Sequence, residues 1–158
     1  MAAVARILEW PVEEAEAHAP VLWDAIALAR AIKGVANADF HVSGVEIDSR
    51  DVLPGDLFFA MKGEAMDGHR FLDAAFAKGA AAAVVDRPVD YPHVLVSDVN
   101  AALEALGRAA RARTQAKIVG VTGSVGKTGV KEAIFAALDR SSRGEAHRSV
   151  KSYNNHVG

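Results

Sequence analysis

The sequence predicts an α/β fold: a small N-terminal α/β domain over residues 20–113, followed from residue 114 by the start of a second α/β domain built on a phosphate-binding loop. Three observations predict it. "LFFAM", "AAAAVVD" and "HVLVS" are short continuous apolar runs, the mark of strands covered on both faces. Segments with helical periodicity alternate with them, as an α/β sheet requires. A glycine loop, "GVTGSVGKT", then joins an apolar run to an amphipathic helix.

Taken in order, residues 1–19 are rich in Ala and Glu and mix Trp10 with Pro11, which predicts an irregular lead-in. "APVLWDAIALARAIKG" places Leu22, Ile26, Ala29 and Ile32 on one helical face, with Gly34 at the left-handed position that ends a helix. "HVSGVEIDSR" reads as one strand, Val45 and Ile47 on the same face, breaking into a polar turn at Asp48, Ser49 and Arg50. In "DVLPGD", Pro54 presets φ and Gly55 accepts a positive φ, so a turn is expected before "LFFAM". "KGEAMDGH" is a polar loop, and "RFLDAAFAKG" a short helix closed by Gly79. After two further buried strands, Asp98 caps a long helix carrying Val99, Leu103, Leu106 and Ala110. Its tail, "GRAARART", is basic, as the negative end of a helix dipole prefers, and is expected to be solvated. "KIVGVT" is a further strand, and Val130, Ile134, Ala137 and Leu138 mark the helix after the loop. "SSRGEAHRSV" reads as a turn and then a strand.

Composition narrows the function. Eighteen basic and twenty acidic residues leave a formal charge of −2, so no global field favours nucleic acid or anionic lipid. The chain has no cysteine, which excludes disulfides and thiolate metal sites and fits a reducing cytoplasm. No run has the length of a membrane span, and acids stand where a signal peptide needs an apolar core. His18, His41, His69, His93, His147 and His156 lack close ligand spacing, so no structural metal is expected. Trp10, Trp23 and the phenylalanines read as packing residues rather than a base-stacking platform.

The loop carries the chemistry. A bound phosphate needs converging backbone N–H groups, which glycine permits by removing the Cβ, and it gains from a helix N-terminus aimed at it. Gly123, Ser124, Val125 and Gly126 supply the cradle, Lys127 the cation for the terminal phosphates, and Thr128 a hydroxyl for Mg²⁺. The match departs from G-x-x-x-x-G-K-[ST], because Val121 stands five places before Gly126. The alternative is a glycine turn with a solvated Lys127.

"GVTGSVGKT" resembles the phosphate loop of the Mur ligases, the ATP-dependent enzymes of peptidoglycan assembly, whose short form T-G-[ST]-x-G-K-[ST] is met by Thr122 to Thr128. Asparagine is common in the family at the place of Val125. "GSVGKTGVKE" resembles the MurF type in particular, although threonine is usual there where this chain has Gly129. Residues 48–85, "DSRDVLPGDL…AAAAVV", resemble the family's N-terminal domain, which holds the UDP end of the precursor. The resemblance implies that Ser49 and Arg50 lie at the uridine and diphosphate, with Lys62, Gly63, Asp67, Gly68 and His69 on a facing loop. Spacing alone reads the same residues as turn and cap chemistry. "KSYNNHVG" resembles a segment that reaches toward nucleotide and substrate, with Asn154, Asn155 and Gly158 matching; without the resemblance it is an Asx-rich loop.

The resemblance therefore implies a UDP-binding domain over 20–113 and the truncated start of a P-loop central ATPase domain over 114–158. The implied cofactors are ATP and Mg²⁺, and the implied substrates are UDP-N-acetylmuramoyl-tripeptide and D-alanyl-D-alanine, joined through an acyl phosphate in the cytoplasm. A monomer is expected, inactive by itself because the later acidic Mg²⁺ ligand and the amino-substrate domain of the family find no counterpart here. Two alternatives stay open: another Mur-type ligase, such as the one adding the third residue, and a non-catalytic UDP-sugar-binding module with a vestigial loop.

Overall fold

The structure, a computed structural model, describes residues 20–63 and 66–149. In chain order its elements are β1 (Trp23–Asp24), α1 (Ala25–Ile32), β2 (Val35–Ala36), β3 (His41–Val42), β4 (Gly44–Glu46) and β5 (Asp56–Phe59). A 3₁₀ turn at Gly68–Phe71 leads into α2 (Leu72–Ala77), followed by β6 (Ala82–Val85), β7 (His93–Leu95), α3 (Val99–Ala112) and α4 (Lys127–Ser142). Five strands form one sheet in the order β2-β7-β6-β5-β4, all parallel except β2, while β1 and β3 pair antiparallel beside it.

The apolar runs form the sheet centre because both of its faces are covered. Alternation sends Leu57, Phe59, Ala82, Val84 and Val94 to the face under α1 and α3. Phe58, Ala83 and Val85 point the other way, against Leu72 and Ala75 of α2. Leu57, Phe58 and Phe59 are almost wholly buried, each worth about 1.5–3 kcal/mol in the folded state. Asp98 caps α3 as its position predicts, its carboxylate accepting from the N–H groups of Asn100 and Ala101. Gly55 and Gly79 take the positive φ values, 89° and 95°, that their turns need.

Several expectations are corrected. In α1 the buried face is Ala25, Leu28 and Ile32, and Ile26 is 72% exposed. The helix starts only at Ala25 because Asp24 caps it while Leu22 and Asp24 follow the β1 path, Leu22 N–H donating to the Val42 carbonyl. The left-handed residue closing α1 is Lys33, φ 56°; Gly34 is needed for space, since a Cβ there would sit 2.5 Å from Val94 Cγ1 and 2.8 Å from the Leu95 carbonyl. The single strand expected over 41–47 is two, broken at Ser43, whose N–H donates to the Gly55 carbonyl rather than to a ladder partner. Residues 117–122 are not a strand, and Ile118 and Val119 are 67% and 56% exposed. A strand needs a neighbour to take its backbone hydrogen bonds, and none among the described residues does so. Residues 145–149 likewise form no strand.

The basic tail of α3 is more than solvated. The Arg113 guanidinium stacks 4.1 Å over the Trp23 ring and donates to the Leu22 carbonyl at 2.8 Å, fastening the end of α3 to β1. The lead-in at 1–19 lies outside the described residues.

Candidate functional site: a phosphate loop and a strand-end cluster

The glycine loop at 123–126 leads directly into α4, although the strand expected before it is absent. Gly123 and Gly126 stand at φ 144° and 77°, values that L side chains rarely adopt, so their role is conformational. Gly126 caps α4 in the left-handed conformation with no side-chain cap, and its carbonyl accepts the Val130 N–H. Gly126 has no side chain with which to cap the first turn of α4, an arrangement that an anion can complete. Lys127 Nζ reaches back over the loop and donates to the Gly123 carbonyl at 2.7 Å. Ser124 and Val125 form the exposed crest, and Thr128 follows Lys127 in the first helical turn.

A second group lies at the carboxyl end of the sheet. β4, β5 and β6 are parallel, so the chain leaves all three at one edge, the usual ligand side of an open α/β sheet. After β4, Asp48 accepts from the Arg50 N–H at 2.9 Å and pairs with its guanidinium at 2.6 Å. The hydrogen bonds and charge of Asp48 hold the exposed Arg50 guanidinium above its ordinary range. The Lys78 ammonium donates to the Arg50 carbonyl, tying this turn to the end of α2. Ser49 sits half-buried in the same turn.

After β5, the chain makes a narrow excursion. Gly63 N–H donates to the Met66 carbonyl, Lys62 and Asp67 form a bridge, and Gly68 N–H returns to the Met61 carbonyl. Gly68 is packed against the backbone: an added Cβ would meet Ala60 and Met61 main-chain atoms at 2.6 Å. Asp67 Oδ1 accepts the His69 N–H at 3.0 Å and faces His69 Nδ1 at 2.7 Å, while Oδ2 pairs with Arg87 at 2.8 Å. The His69 N–H chiefly, and Arg87 next, hold the Asp67 carboxyl well below the usual carboxylate range. The His69 side chain is 5% exposed, with Nε2 3.3 Å from Asp86 Oδ1.

The structure thus joins Lys62, Gly63, Asp67, Gly68 and His69 into one unit and keeps Ser49 and Arg50 in a turn of their own at the neighbouring strand. Asn154 and Asn155, with Gly158, lie outside the described residues. Sequence reasoning missed Asp86 and Arg87. The available signal was a charged pair directly after the apolar run of β6, at the strand end where open sheets keep their sites. Among the described residues there is no group of three or more His, Cys, Asp or Glu arranged to hold a metal, and no helix is long and apolar enough to cross a membrane.

Comparison with known proteins identifies the scaffold. The family described as "Mur ligase family, catalytic domain" matches residues 41–119, half of the chain. The chain belongs to the Mur ligase family. It is 41% identical over 125 residues to the UDP-N-acetylmuramoyl-tripeptide–D-alanyl-D-alanine ligase of Synechocystis sp., a match spanning 76% of this chain and 27% of that Mur ligase. It is 47% identical over 91 residues to the UDP-N-acetylmuramoyl-L-alanyl-D-glutamate–2,6-diaminopimelate ligase of Geobacillus kaustophilus, spanning 55% of this chain and 19% of that one. Among solved Mur ligases, MurF from Acinetobacter baumannii superposes with a TM-score of 0.61 at 35% identity, covering 75% of this chain and 28% of that chain. The α/β architecture with its parallel sheet is that of MurF.

Proposed function

We propose that this chain supplies two substrate handles of an ATP-dependent ligase that joins D-alanyl-D-alanine to UDP-N-acetylmuramoyl-tripeptide in the cytoplasm. Ser49, Arg50 and the loop bearing Lys62, Gly63 and Asp67-Gly68-His69 hold the UDP end of the precursor. Gly123 to Thr128 hold ATP. The observation that carries the reading is the phosphate loop: two glycines at positive φ, an uncapped helix start and a lysine folded over them. This is a donor set that suits a polyphosphate and little else.

ATP, when bound, supplies the phosphoryl group that activates the tripeptide carboxylate. The chain's own part is positioning and charge neutralisation, the main work in phosphoryl transfer. Lys127, which here donates to the Gly123 carbonyl, would hold phosphate oxygens together with the first-turn amides of α4. Thr128 offers the hydroxyl expected to face Mg²⁺. The fit to the metal is partial, since one hydroxyl is a weak donor set and the acidic partners must come from elsewhere in the ligase.

A second reading is favoured by the 47% identity to the diaminopimelate-adding ligase; that match covers less of this chain than the match to the D-alanyl-D-alanine ligase. Titrating UDP and then ATP into isotope-labelled chain tests the two handles. Shifts at Ser49, Arg50 and residues 62–69 with UDP, and at 123–128 with ATP, are expected. Silence at both sets would refute the reading. In the complete ligase, phosphate release that needs diaminopimelate rather than D-alanyl-D-alanine would select the second one.

A further inference from the structure

The carboxyl edge of the sheet holds a group of charges that neither the phosphate loop nor the Ser49–Arg50 turn uses. Backbone pairing between β5 and β6 extends just past the strands, where the Ala60 N–H donates to the Val84 carbonyl. Beyond that point Lys62, Gly63, Met66 and Asp67 contribute nothing to the apolar core, and Met66 is 58% exposed. What continues the connection to β6 is side chains. Arg87 reaches Asp67 Oδ2 at 2.8 Å, and Asp86 Oδ1 lies 3.3 Å from His69 Nε2 and 3.5 Å from Arg87.

The motif Asp67-Gly68-His69 is turned inward at every member. Both Asp67 oxygens are committed, Oδ1 to His69 and Oδ2 to Arg87. Gly68 has backbone at 2.6 Å where a side chain would be. The His69 side chain is 5% exposed, and its Nε2, buried without a well-aligned hydrogen bond, faces Asp86. A ligand arriving at this edge meets the Lys62 side chain and the backbone of Lys62 and Gly63, whose place depends on the Lys62–Asp67 bridge. The motif acts on that ligand through position.

We propose that Asp86, which lies outside the motif, is a positioning residue: with Arg87 it clamps Asp67 and His69 and so holds Lys62 and Gly63 in the geometry that binds the UDP end of the precursor. The clamp rests on the precursor-binding reading given above. Removing the Asp86 carboxylate leaves Nε2 of a buried imidazole facing no charge and frees Arg87 from one of its two acids. The excursion then loosens while the sheet, whose core lies below it, stays intact.

The test uses the chain as it stands, isotope-labelled, with UDP as the probe. Asp86→Ala is expected to speed hydrogen exchange of the Gly63 amide and to weaken UDP binding, each by about tenfold, the scale of one lost hydrogen bond to a charged group. Protection of the α3 amides should stay as in the unsubstituted chain, and Asp86→Glu should recover part of both losses. Asp86→Asn, which keeps the shape and removes the charge, serves if Asp86→Ala does not fold. Unchanged Gly63 exchange overturns the clamp, and so does a loss of protection that spreads equally through α3, which would make Asp86 a general stability residue. If the unsubstituted chain ignores UDP, the precursor reading fails, and Gly63 exchange then decides the clamp on its own.

Discussion

Lys127 and Asp67 are both held by what surrounds them, and each yields a measurable consequence. Lys127 is the cation that a glycine loop and a helix start aim at one point. Lys127→Ala should cost roughly 1.5–3 kcal/mol of ATP binding, the usual range for hydrogen bonds to a charged group, as isothermal calorimetry would read directly. Asp67 titrates below its unfolded value because the His69 N–H and Arg87 stabilise its anion. A depressed folded pKa gives stability that is fully present above the unfolded value, about 3.9, and is lost as pH falls toward the folded one. The gap in urea midpoint between the unsubstituted chain and Asp67→Asn should therefore hold constant from about pH 7 to 5 and narrow below about pH 4. At this scale the sequence was readable where one residue type has one use. Gly123, Gly126 and Lys127 needed only their order along the chain. Asp86 and Arg87 were hidden because their partners, His69 and Asp67, lie far back in the chain, Asp67 twenty residues from Arg87, and only strand pairing brings them together.

Among elements, those with a local signal followed the sequence and those that depend on neighbours did not. The Asp98 cap is local: one carboxylate takes two N–H groups of α3. Asp98→Ala should lower stability by about 1 kcal/mol, the typical cost of losing an N-cap, seen as a lower melting midpoint with unchanged spectra. β5 and β6 were legible because continuous apolar runs of that length have few other fates. The face of α1 was misread because periodicity was counted from Leu22, three residues before the helix starts, so that Ile26 and Ala29 were chosen one residue, about a quarter of a turn, away from the buried Ala25 and Leu28. Residues 117–122 have strand composition and no strand, since β-propensity describes fit to a sheet and has no effect without one.

For the molecule as a whole, the distribution of burial is uneven. Among the described residues, every core residue lies between Trp23 and Leu106, in the two layers that α1, α3 and α2 make with the sheet. No residue of α4 is buried. A chain cut after Arg113, which keeps the Arg113–Trp23 stack, should therefore melt within a few degrees of the 158-residue chain, since surface changes away from core features cost at most about 0.5 kcal/mol; a large drop in the midpoint would show that α4 stabilises the front half. The sequence made the core legible through its apolar runs, but carried no sign that the helix after the glycine loop would bury none of its stripe among the described residues. The open run at 117–122 has a further consequence, for the protein's behaviour as a colloid. It leaves Ile118 and Val119 in water with no ladder partner among the described residues, a template onto which another chain can add a strand. At high concentration the protein should self-associate through this segment, with scattering that grows with concentration and falls on dilution. Val119→Lys, a charge of the kind that natural edge strands use as a guard, should suppress that scattering while leaving the melting midpoint where it was.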